Sequence, residues 1–107
     1  MAGKLLTPIT VGALDLPNRV VMAPMTRGRA TRPQLLANAD IGDYYSQRAS
    51  AGLIITEGVT LSKGGRGWIG VPEIYTAEHV ESWKPVTQKV HEAGGRVFFQ
   101  LWHTGGG

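Results

Sequence analysis

Short apolar runs that end in polar side chains recur three times along this chain of 107 residues. They lie within residues 18–27, 53–58 and 97–103, and helix-like stretches separate them. Continuous apolar runs are typical of strands buried on both faces of a parallel sheet, and reactions on such sheets occur at the carboxyl ends of the strands. The pattern therefore predicts a parallel α/β sheet with polar side chains gathered at its carboxyl edge.

The first half of the pattern predicts a hairpin, a strand and a helix. Residues 8–16 contain two short strand-like runs around Gly12, which supplies the backbone freedom of a tight turn. A strand is expected to begin near Asn18. Asn38 is suited to begin a helix, and Gly52 is the expected end of that helix.

The second half predicts a strand, a helix and a strand. The first of these runs over residues 53–59, and a long loop leads from it to Thr76, which is suited to cap the next helix. Pro85 predicts either a kink in that helix or a helix that begins afresh there. The glycines at 94–95 end it, and the last strand starts at Arg96. The connections are long enough for parallel neighbours.

Composition limits the class of protein. A hydrophobic share of 42% and a charged share of 18% fit a globular, soluble protein. The absence of cysteine excludes a disulfide framework, thiolate metal sites and a cysteine nucleophile, and it permits the reducing, cytoplasmic setting that we expect. No segment approaches the ~20 apolar residues of a membrane span, and the amino terminus lacks the apolar core of a secretory signal, so no membrane partner is expected.

A cluster of arginines contributes to the formal net charge of +3. Arg27, Arg29 and Arg32 lie close together, which suggests either a phosphate or nucleic-acid patch or a solvated loop. We favour the solvated loop, because no aromatic residues interleave with the arginines to stack on bases. No nucleic-acid partner is expected.

Residues 65–70 have the glycine spacing of a dinucleotide-binding loop. That motif functions only where a strand turns directly into a helix whose amino terminus meets the pyrophosphate. Here several residues separate Val59 from Gly65, and Val71 and Pro72 follow where the helix should run. We therefore reject the dinucleotide-binding interpretation.

Parallel strands bring the side chains at their carboxyl ends to one face. The residues expected at or near that face are Thr26, Glu57, Trp68, Gln100, Trp102 and His103. A hydroxyl and a carboxamide suit a planar heterocycle with ring carbonyls and nitrogens, although Thr26 and Gln100 are interpreted equally well as ordinary turn residues. For Glu57, pairing with a neighbouring arginine is the better interpretation. His79 and His91 lack metal-ligand spacing and read as helix-surface residues, so no metal is expected.

Several segments of the chain carry a family resemblance. They are residues 6–9, 18–27, 44–49, 52–58 and 100–105. Their sequences and their order closely resemble the amino-terminal part of the old yellow enzyme family, the FMN-dependent ene-reductases. Any one segment alone would be weak evidence, whereas several in register are highly specific.

The resemblance implies a TIM (β/α)8 barrel, of which this chain would form the amino-terminal portion: a β-hairpin followed by about three βα units. Enzymes of this family hold FMN noncovalently at the carboxyl face of the barrel and accept hydride from NADPH or NADH. They pass it to C=C bonds that a carbonyl or nitro group activates. The expected small-molecule partner is therefore an activated alkene.

The resemblance also implies site residues. Flavin contacts are expected from Pro24, Met25, Thr26, Gly58 and Gln100, and part of the substrate wall from Trp68 and Trp102. Thr26 would donate a hydrogen bond to ring O4, which stabilises negative charge on the reduced flavin and tunes its potential. Gly58 would allow the backbone to approach the ring, and Gln100 would pair with the pyrimidine edge.

The family's other site residues lie on later strands, so no catalytic residue is expected in this chain. A whole barrel needs roughly 250 residues. Residues 1–105 are thus interpreted as the barrel part, and residues 106–107 as a glycine linker or tail. Because an open sheet has an unpaired edge and a bare apolar face, we expect activity only with the remaining carboxyl-terminal barrel polypeptide, or else self-association. The alternative is a non-catalytic, truncated or split piece that acts as an assembly module.

Overall fold

The computed structural model describes residues 3–105, and the tail assigned to residues 106–107 lies outside them. In chain order the elements are β1 (Ile9–Val11), β2 (Leu14–Leu16), β3 (Val21–Met22), α1 (Ala39–Ser46), β4 (Leu53–Thr60), a 3-10 turn (Lys63–Gly65), α2 (Ala77–Glu92) and β5 (Val97–Trp102). Neither helix in the described part is long and apolar enough to cross a membrane.

The strands form two separate sheets, as the pattern predicts. The antiparallel pair β1 and β2 is the expected hairpin, and Gly12 turns it with a φ of 60°. The other sheet has the order β3-β4-β5 and is parallel throughout, with Val21 opposite Leu53 and Ile54 opposite Val97. The predicted parallel α/β arrangement is confirmed.

The first predicted strand is shorter than expected, since β3 has two residues. Its pairing with β4 ends at Met22, and Pro24, which has no backbone N–H, follows shortly after. Residues 23–30 form neither helix nor strand. The segment that carries Thr26 is therefore held by individual contacts, among them the hydrogen bond from the Ala30 N–H to the Gly70 carbonyl at 3.0 Å.

Helix α1 begins as predicted and ends early. The Asn38 side chain accepts a hydrogen bond from the Ile41 N–H at 3.0 Å. The helix ends at Ser46, so the prediction that Gly52 ends it is wrong. Residues 47–52 instead form turns that lead into β4. Gly52 instead allows a close approach of the chain, because a Cβ added there would lie 2.1 Å from the Asn18 carbonyl oxygen.

Helix α2 confirms the predicted start and end. Thr76 accepts a hydrogen bond from the His79 N–H at 3.0 Å, and Gly94 follows the helix with a φ of 84°. The helix continues through Pro85, so a fresh start at that residue does not occur. Proline has no backbone N–H, so the Glu81 carbonyl loses its usual hydrogen-bond partner. Because Pro85 and Glu81 are both exposed, this does not leave a buried polar group unpaired.

His79 does not lie on the helix surface, and that prediction is wrong. Its side chain is almost fully buried. Nδ1 accepts a hydrogen bond from the Thr76 N–H at 3.1 Å, and Nε2 lies 2.8 Å from the Gln34 carbonyl oxygen. The loop before α1 covers this end of α2, which the periodicity of α2 alone does not reveal. His91, near the other end of the helix, is exposed as predicted.

The core lies between the two helices and one face of the parallel sheet. Its buried members are Ala37, Ile41, Tyr45, Ile54, Val59, Trp83, Val86 and Val90. Strand residues alternate between the faces, so that Phe99 packs edge-on against Trp83 while its neighbour Phe98 is 51% exposed. On β3, Val21 is likewise 50% exposed. The second face of the sheet is therefore bare and partly apolar.

Candidate functional site

A hollow of about 410 Å³ lies at the carboxyl end of the parallel sheet. It is lined by Thr26, Arg27, Gly28, Trp68, Ile69 and Trp102. Three of the residues that the sequence nominates, Thr26, Trp68 and Trp102, are thus brought together from the loop after β3, the loop after β4 and the end of β5. The hollow offers one hydroxyl beside two indole rings.

The Trp102 ring connects this hollow to the middle of the sheet. A Cβ added at Gly58 would lie 2.2 Å from Cε3 of Trp102, so the ring packs directly on the glycine backbone. Gly58 is opposite Gln100 in the pairing of β4 with β5. Because Gln100 and Trp102 are two residues apart on one strand, they share a face of the sheet. The Trp102 ring therefore lies between the hollow that Thr26 lines and the buried backbone of Gly58, and Gln100 is on the same face of the sheet.

A bulge in β4 decides which residues reach that surface. The pairing with β5 shifts between Ile55 and Gly58. Thr56 Oγ1 accepts a hydrogen bond from the Gln100 N–H at 3.2 Å and donates one to the Glu57 carbonyl at 2.9 Å. Bulges re-aim side chains beside functional sites. No pattern in the sequence predicts this bulge, since residues 53–59 read as a regular strand.

Pro24 and Met25 lie apart from the indole hollow. Both are exposed, and Met25 lines a second hollow of about 550 Å³ near Leu6 and Val20. Their contact with a flavin stays a prediction.

The loop that carries Trp68 is held by an ion pair between the exposed Arg66 and the buried Glu73. Glu73 is fully buried and accepts hydrogen bonds from Arg66 Nη2 at 2.7 Å and from the Tyr75 hydroxyl at 2.9 Å. The Arg66 pKa is raised, mainly by its hydrogen bond to Glu73. Trp68 itself is 66% exposed. Sequence reasoning missed this pair, because nothing local joins residues 66 and 73.

The glycines at 65–70 do not form a dinucleotide-binding turn. A short 3-10 turn is followed by extended chain, and the next α-helix begins only at Ala77, which confirms the rejection of that motif. Gly65 and Gly67 instead let the chain after β5 approach closely. A Cβ at Gly65 would lie 2.9 Å from the His103 ring, and the Thr104 hydroxyl donates to the Gly65 carbonyl at 2.9 Å.

Glu57 does not reach the candidate site. Its side chain is fully buried on the helix side of the sheet, and the Tyr45 hydroxyl donates a hydrogen bond to its Oε2 at 2.8 Å. The expected ion pair with an arginine is not formed in the described part of the chain: the side-chain hydrogen bond is made with a tyrosine, although Arg27 lies nearby. Burial raises the pKa of Glu57, against the opposing effects of the Tyr45 hydrogen bond and the nearby Arg27. Burial likewise raises the pKa of Tyr45, and Glu57 adds to that rise.

The raised pKa of Glu57 predicts a pH dependence of stability. The folded state holds its proton to higher pH than the unfolded state, so the contribution of Glu57 to stability is fully present below the ordinary pKa of 4.5 and is lost as pH rises through the folded pKa. Glu57→Gln should remove this loss of stability with rising pH. Above the folded pKa of Glu57, the variant should therefore be more stable than the wild type. Chemical unfolding from pH 4 upward measures it; parallel curves for the two proteins would contradict the assignment.

Arg27 is not a freely solvated residue. Its guanidinium carbon lies 3.8 Å from the centre of the Tyr44 ring, and that of Arg48 lies 4.0 Å from the same centre. Two groups so close to one ring centre must occupy its opposite faces. Arg29 and Arg32 are exposed, as a solvated loop predicts. The solvated-loop interpretation is thus wrong for Arg27 alone.

Comparison with known proteins identifies the class. The profile of the NADH:flavin oxidoreductase / NADH oxidase family matches residues 4–107, and the chain therefore belongs to that family. Flavin oxidoreductase hxnT of Emericella nidulans is 43% identical over 105 residues, covering 94% of this chain and 27% of the relative. For 12-oxophytodienoate reductase 1 of Oryza sativa subsp. japonica the identity is 43% over 102 residues, covering 94% of this chain and 26% of the relative.

Solved structures agree with this assignment. The old yellow enzyme homologue from Zymomonas mobilis has a TM-score of 0.89 at 51% identity, covering 94% of this chain and 28% of that one. Morphinone reductase in complex with tetrahydroNAD has a TM-score of 0.88 at 47% identity, covering 92% of this chain and 27% of that one. The old yellow enzyme resemblance is confirmed, and so is the fold as an amino-terminal portion of a TIM barrel.

The chain spans about a quarter of the length of the curated relatives that it matches. FMN, with NADH or NADPH as the reductant, is the cofactor set of the family, as the resemblance implies.

Proposed function

We propose that this chain forms the flavin-side part of an FMN-dependent ene-reductase. The observation that carries the proposal is the position of Trp102 at the carboxyl end of a parallel sheet, beside Thr26 in the hollow and over Gly58, with Gln100 on the same face. This arrangement combines neutral hydrogen-bonding groups with a flat aromatic ring. Such a surface fits the isoalloxazine ring of FMN, which is planar and carries carbonyls and nitrogens along one edge.

When bound, FMN would supply hydride transfer from NADPH or NADH to the C=C bond of an α,β-unsaturated carbonyl or nitro compound. Within this chain, Thr26 would donate a hydrogen bond to ring O4, and the Gln100 carboxamide would bind the pyrimidine edge. Trp68 and Trp102 would form part of the substrate wall, and Pro24 and Met25 would contact the ring from the loop after β3. Catalytic groups that act on the substrate are not assigned to this chain.

The proposal requires further polypeptide to complete the barrel. Val21 and Phe98 are each about half exposed on the bare face of the sheet, and Leu101 is 61% exposed on the edge strand β5. Apolar side chains beside an unpaired strand edge favour association. The remaining carboxyl-terminal barrel polypeptide would cover this face and extend the sheet from β5.

The chain by itself is expected to associate. Hydrophobic burial stabilises a folded domain only when the apolar faces are covered, and here one face of the sheet is bare. Sedimentation velocity of the isolated chain should show oligomers or aggregates, and addition of the remaining barrel should convert them to one defined complex. A compact, cooperatively folded monomer over a range of concentrations would overturn this expectation.

Reconstitution tests the function directly. The chain is mixed with the remaining barrel polypeptide of a related enzyme and with FMN, then freed of unbound flavin. Yellow protein with a flavin spectrum, and oxidation of NADPH or NADH that depends on an added enone, are the expected results. A colourless complex would favour the second candidate, a non-catalytic assembly module, which the bare face of the sheet also supports.

The role of Thr26 is tested through the flavin potential. A hydrogen bond to a charged group contributes about 1.5–3 kcal/mol, which corresponds to about 30–60 mV for a two-electron couple. Thr26→Ala should therefore lower the FMN potential by about that amount, because the reduced ring loses a donor near its negative charge. Thr10→Ala, in the exposed hairpin, is the matched control. Equal potentials in the two variants would remove Thr26 from the site.

A further inference from the structure

Two consecutive tyrosines of α1 contact the chain immediately beside two of the proposed flavin residues. The Tyr44 ring stacks on Arg27, the residue after Thr26, and the Tyr45 hydroxyl binds Glu57, the residue before Gly58. We propose that Tyr44 and Tyr45 are positioning residues that set Thr26 and Gly58 against the flavin. This inference rests on the proposed function, and it assigns to α1 a task beyond covering the sheet.

Tyr45 holds the bulge of β4 by satisfying a peptide that the sheet leaves unpaired. Its hydroxyl accepts a hydrogen bond from the Glu57 N–H at 2.8 Å and donates one to the Glu57 carboxyl group, also at 2.8 Å. Both residues are almost completely buried. A buried N–H without a partner is costly, so the hydroxyl stabilises the bulged arrangement over regular pairing.

The bulge determines which way Gly58 faces. In a regular strand, a shift of one residue moves every side chain to the opposite face of the sheet. Removing the bulge would therefore turn position 58 away from Trp102 and place a neighbouring residue, which has a side chain, beneath the indole ring. The contact between Gly58 and Trp102 thus depends on a hydrogen bond made on the other side of the sheet.

Tyr44 acts on a segment that has no regular structure. Residues 23–30 form neither helix nor strand, and the stacking of Arg27 on Tyr44 attaches the segment to α1. Arg48 covers the second face of the ring and donates a hydrogen bond to the Tyr44 carbonyl at 2.8 Å, which holds the ring in place. Loss of the ring would free the backbone next to Thr26.

Tyr45→Phe and Glu57→Gln form the first matched pair, both assembled with the remaining barrel. Phenylalanine removes both hydrogen bonds, whereas glutamine still accepts from the Tyr45 hydroxyl and keeps the backbone N–H bond. Tyr45→Phe should raise the FMN dissociation constant about tenfold and speed amide exchange in residues 53–60 and 97–102 about tenfold in the flavin-free complex. Glu57→Gln should change both by less than about twofold.

Tyr44→Leu and Tyr44→Phe form the second pair, which does not depend on the buried hydrogen bonds. Leucine removes the aromatic face that binds Arg27, whereas phenylalanine keeps it. Tyr44→Leu should lower the flavin potential in the direction of Thr26→Ala, and Tyr44→Phe should leave it at the wild-type value. If Tyr45→Phe fails to assemble, this pair decides the proposal.

The outcomes separate this inference from the proposed function. A wild-type complex that binds no FMN would end the proposed function and, with it, a positioning role toward the flavin; the exchange measurement would still report whether Tyr45 holds the bulge. If Tyr45→Phe lowers only the unfolding midpoint, with unchanged amide exchange and FMN affinity, Tyr45 has a merely structural role. Equal potentials for Tyr44→Leu and Tyr44→Phe would likewise overturn the assignment of Tyr44.

Discussion

Alanine at position 58 is expected to displace the Trp102 ring and abolish tight flavin binding in the reconstituted barrel. The added Cβ would lie 2.2 Å from Cε3 and 2.7 Å from Cδ2 of that ring, far inside van der Waals contact. The indole, rather than the backbone, is the group that can move, and its movement alters the hollow that it lines together with Thr26. The FMN dissociation constant of Gly58→Ala should rise at least about tenfold, as flavin fluorescence titration would show.

Two further variants identify the clash as the cause. Gly64→Ala is the matched control, because a Cβ at Gly64 meets nothing within 4 Å; it should bind FMN as the wild type does. Adding Trp102→Leu to Gly58→Ala makes room for the new methyl group, so the double variant should bind FMN no more weakly than Trp102→Leu alone. Wild-type affinity in Gly58→Ala would show that the glycine and the ring are not coupled.

Alanine at position 52 is expected to have the largest effect on stability. Its Cβ would lie 2.1 Å from the Asn18 carbonyl oxygen and 2.8 Å from Asn18 Oδ1. A backbone oxygen cannot rotate away, so the chain before β3 must move. Asn18 also binds the Ser50 carbonyl at 2.9 Å and the Val20 N–H at 3.0 Å, and these contacts join the start of β3 to the turn before β4. We expect the free energy of unfolding to fall by about 3 kcal/mol or more.

Chemical denaturation of the reconstituted complex measures this loss, with Gly64→Ala again as the control. A glycine-to-alanine change without strain reduces the entropy of the unfolded chain and is neutral or stabilising by about 0.4–1 kcal/mol. Gly64→Ala should fall in that range. Should Gly52→Ala match it, the close approach of residues 18 and 52 would not be a feature of the folded protein.

Local chemistry accounts for the predictions that the structure confirms. The caps at Asn38 and Thr76 depend on side chains that reach N–H groups three residues ahead, and the turn at Gly12 depends on one residue with a positive φ. The three strands are recognisable because strands of a parallel sheet built to be covered on both faces read as continuous apolar runs, even though one face is bare in this chain. Each of these signals is complete within a few residues, so sequence suffices to read it.

The predictions that failed concern contacts between distant residues. Gly52 read as a helix end, whereas its small size accommodates the carbonyl of Asn18, 34 residues earlier in the chain. The sequence predicted that His79 is exposed, whereas the loop that carries Gln34 covers it in the folded chain. Glu57 was expected at or near the carboxyl face and to pair with an arginine, whereas it binds Tyr45 of α1. In each case the deciding partner lies on another element.

The sequence by itself determined the family and the order of the elements. It nominated Thr26, Gln100, Trp68 and Trp102 by their places at or near strand ends, and Gly58 through the family resemblance. Only the tertiary structure decided which of them meet, through a bulge held by Tyr45 and a loop stacked on Tyr44. The physical reason is that a strand's periodicity assigns its side chains to faces only while the pairing between strands stays regular. Where the pairing shifts, the groups that hydrogen-bond the unpaired peptide come from elsewhere in the fold.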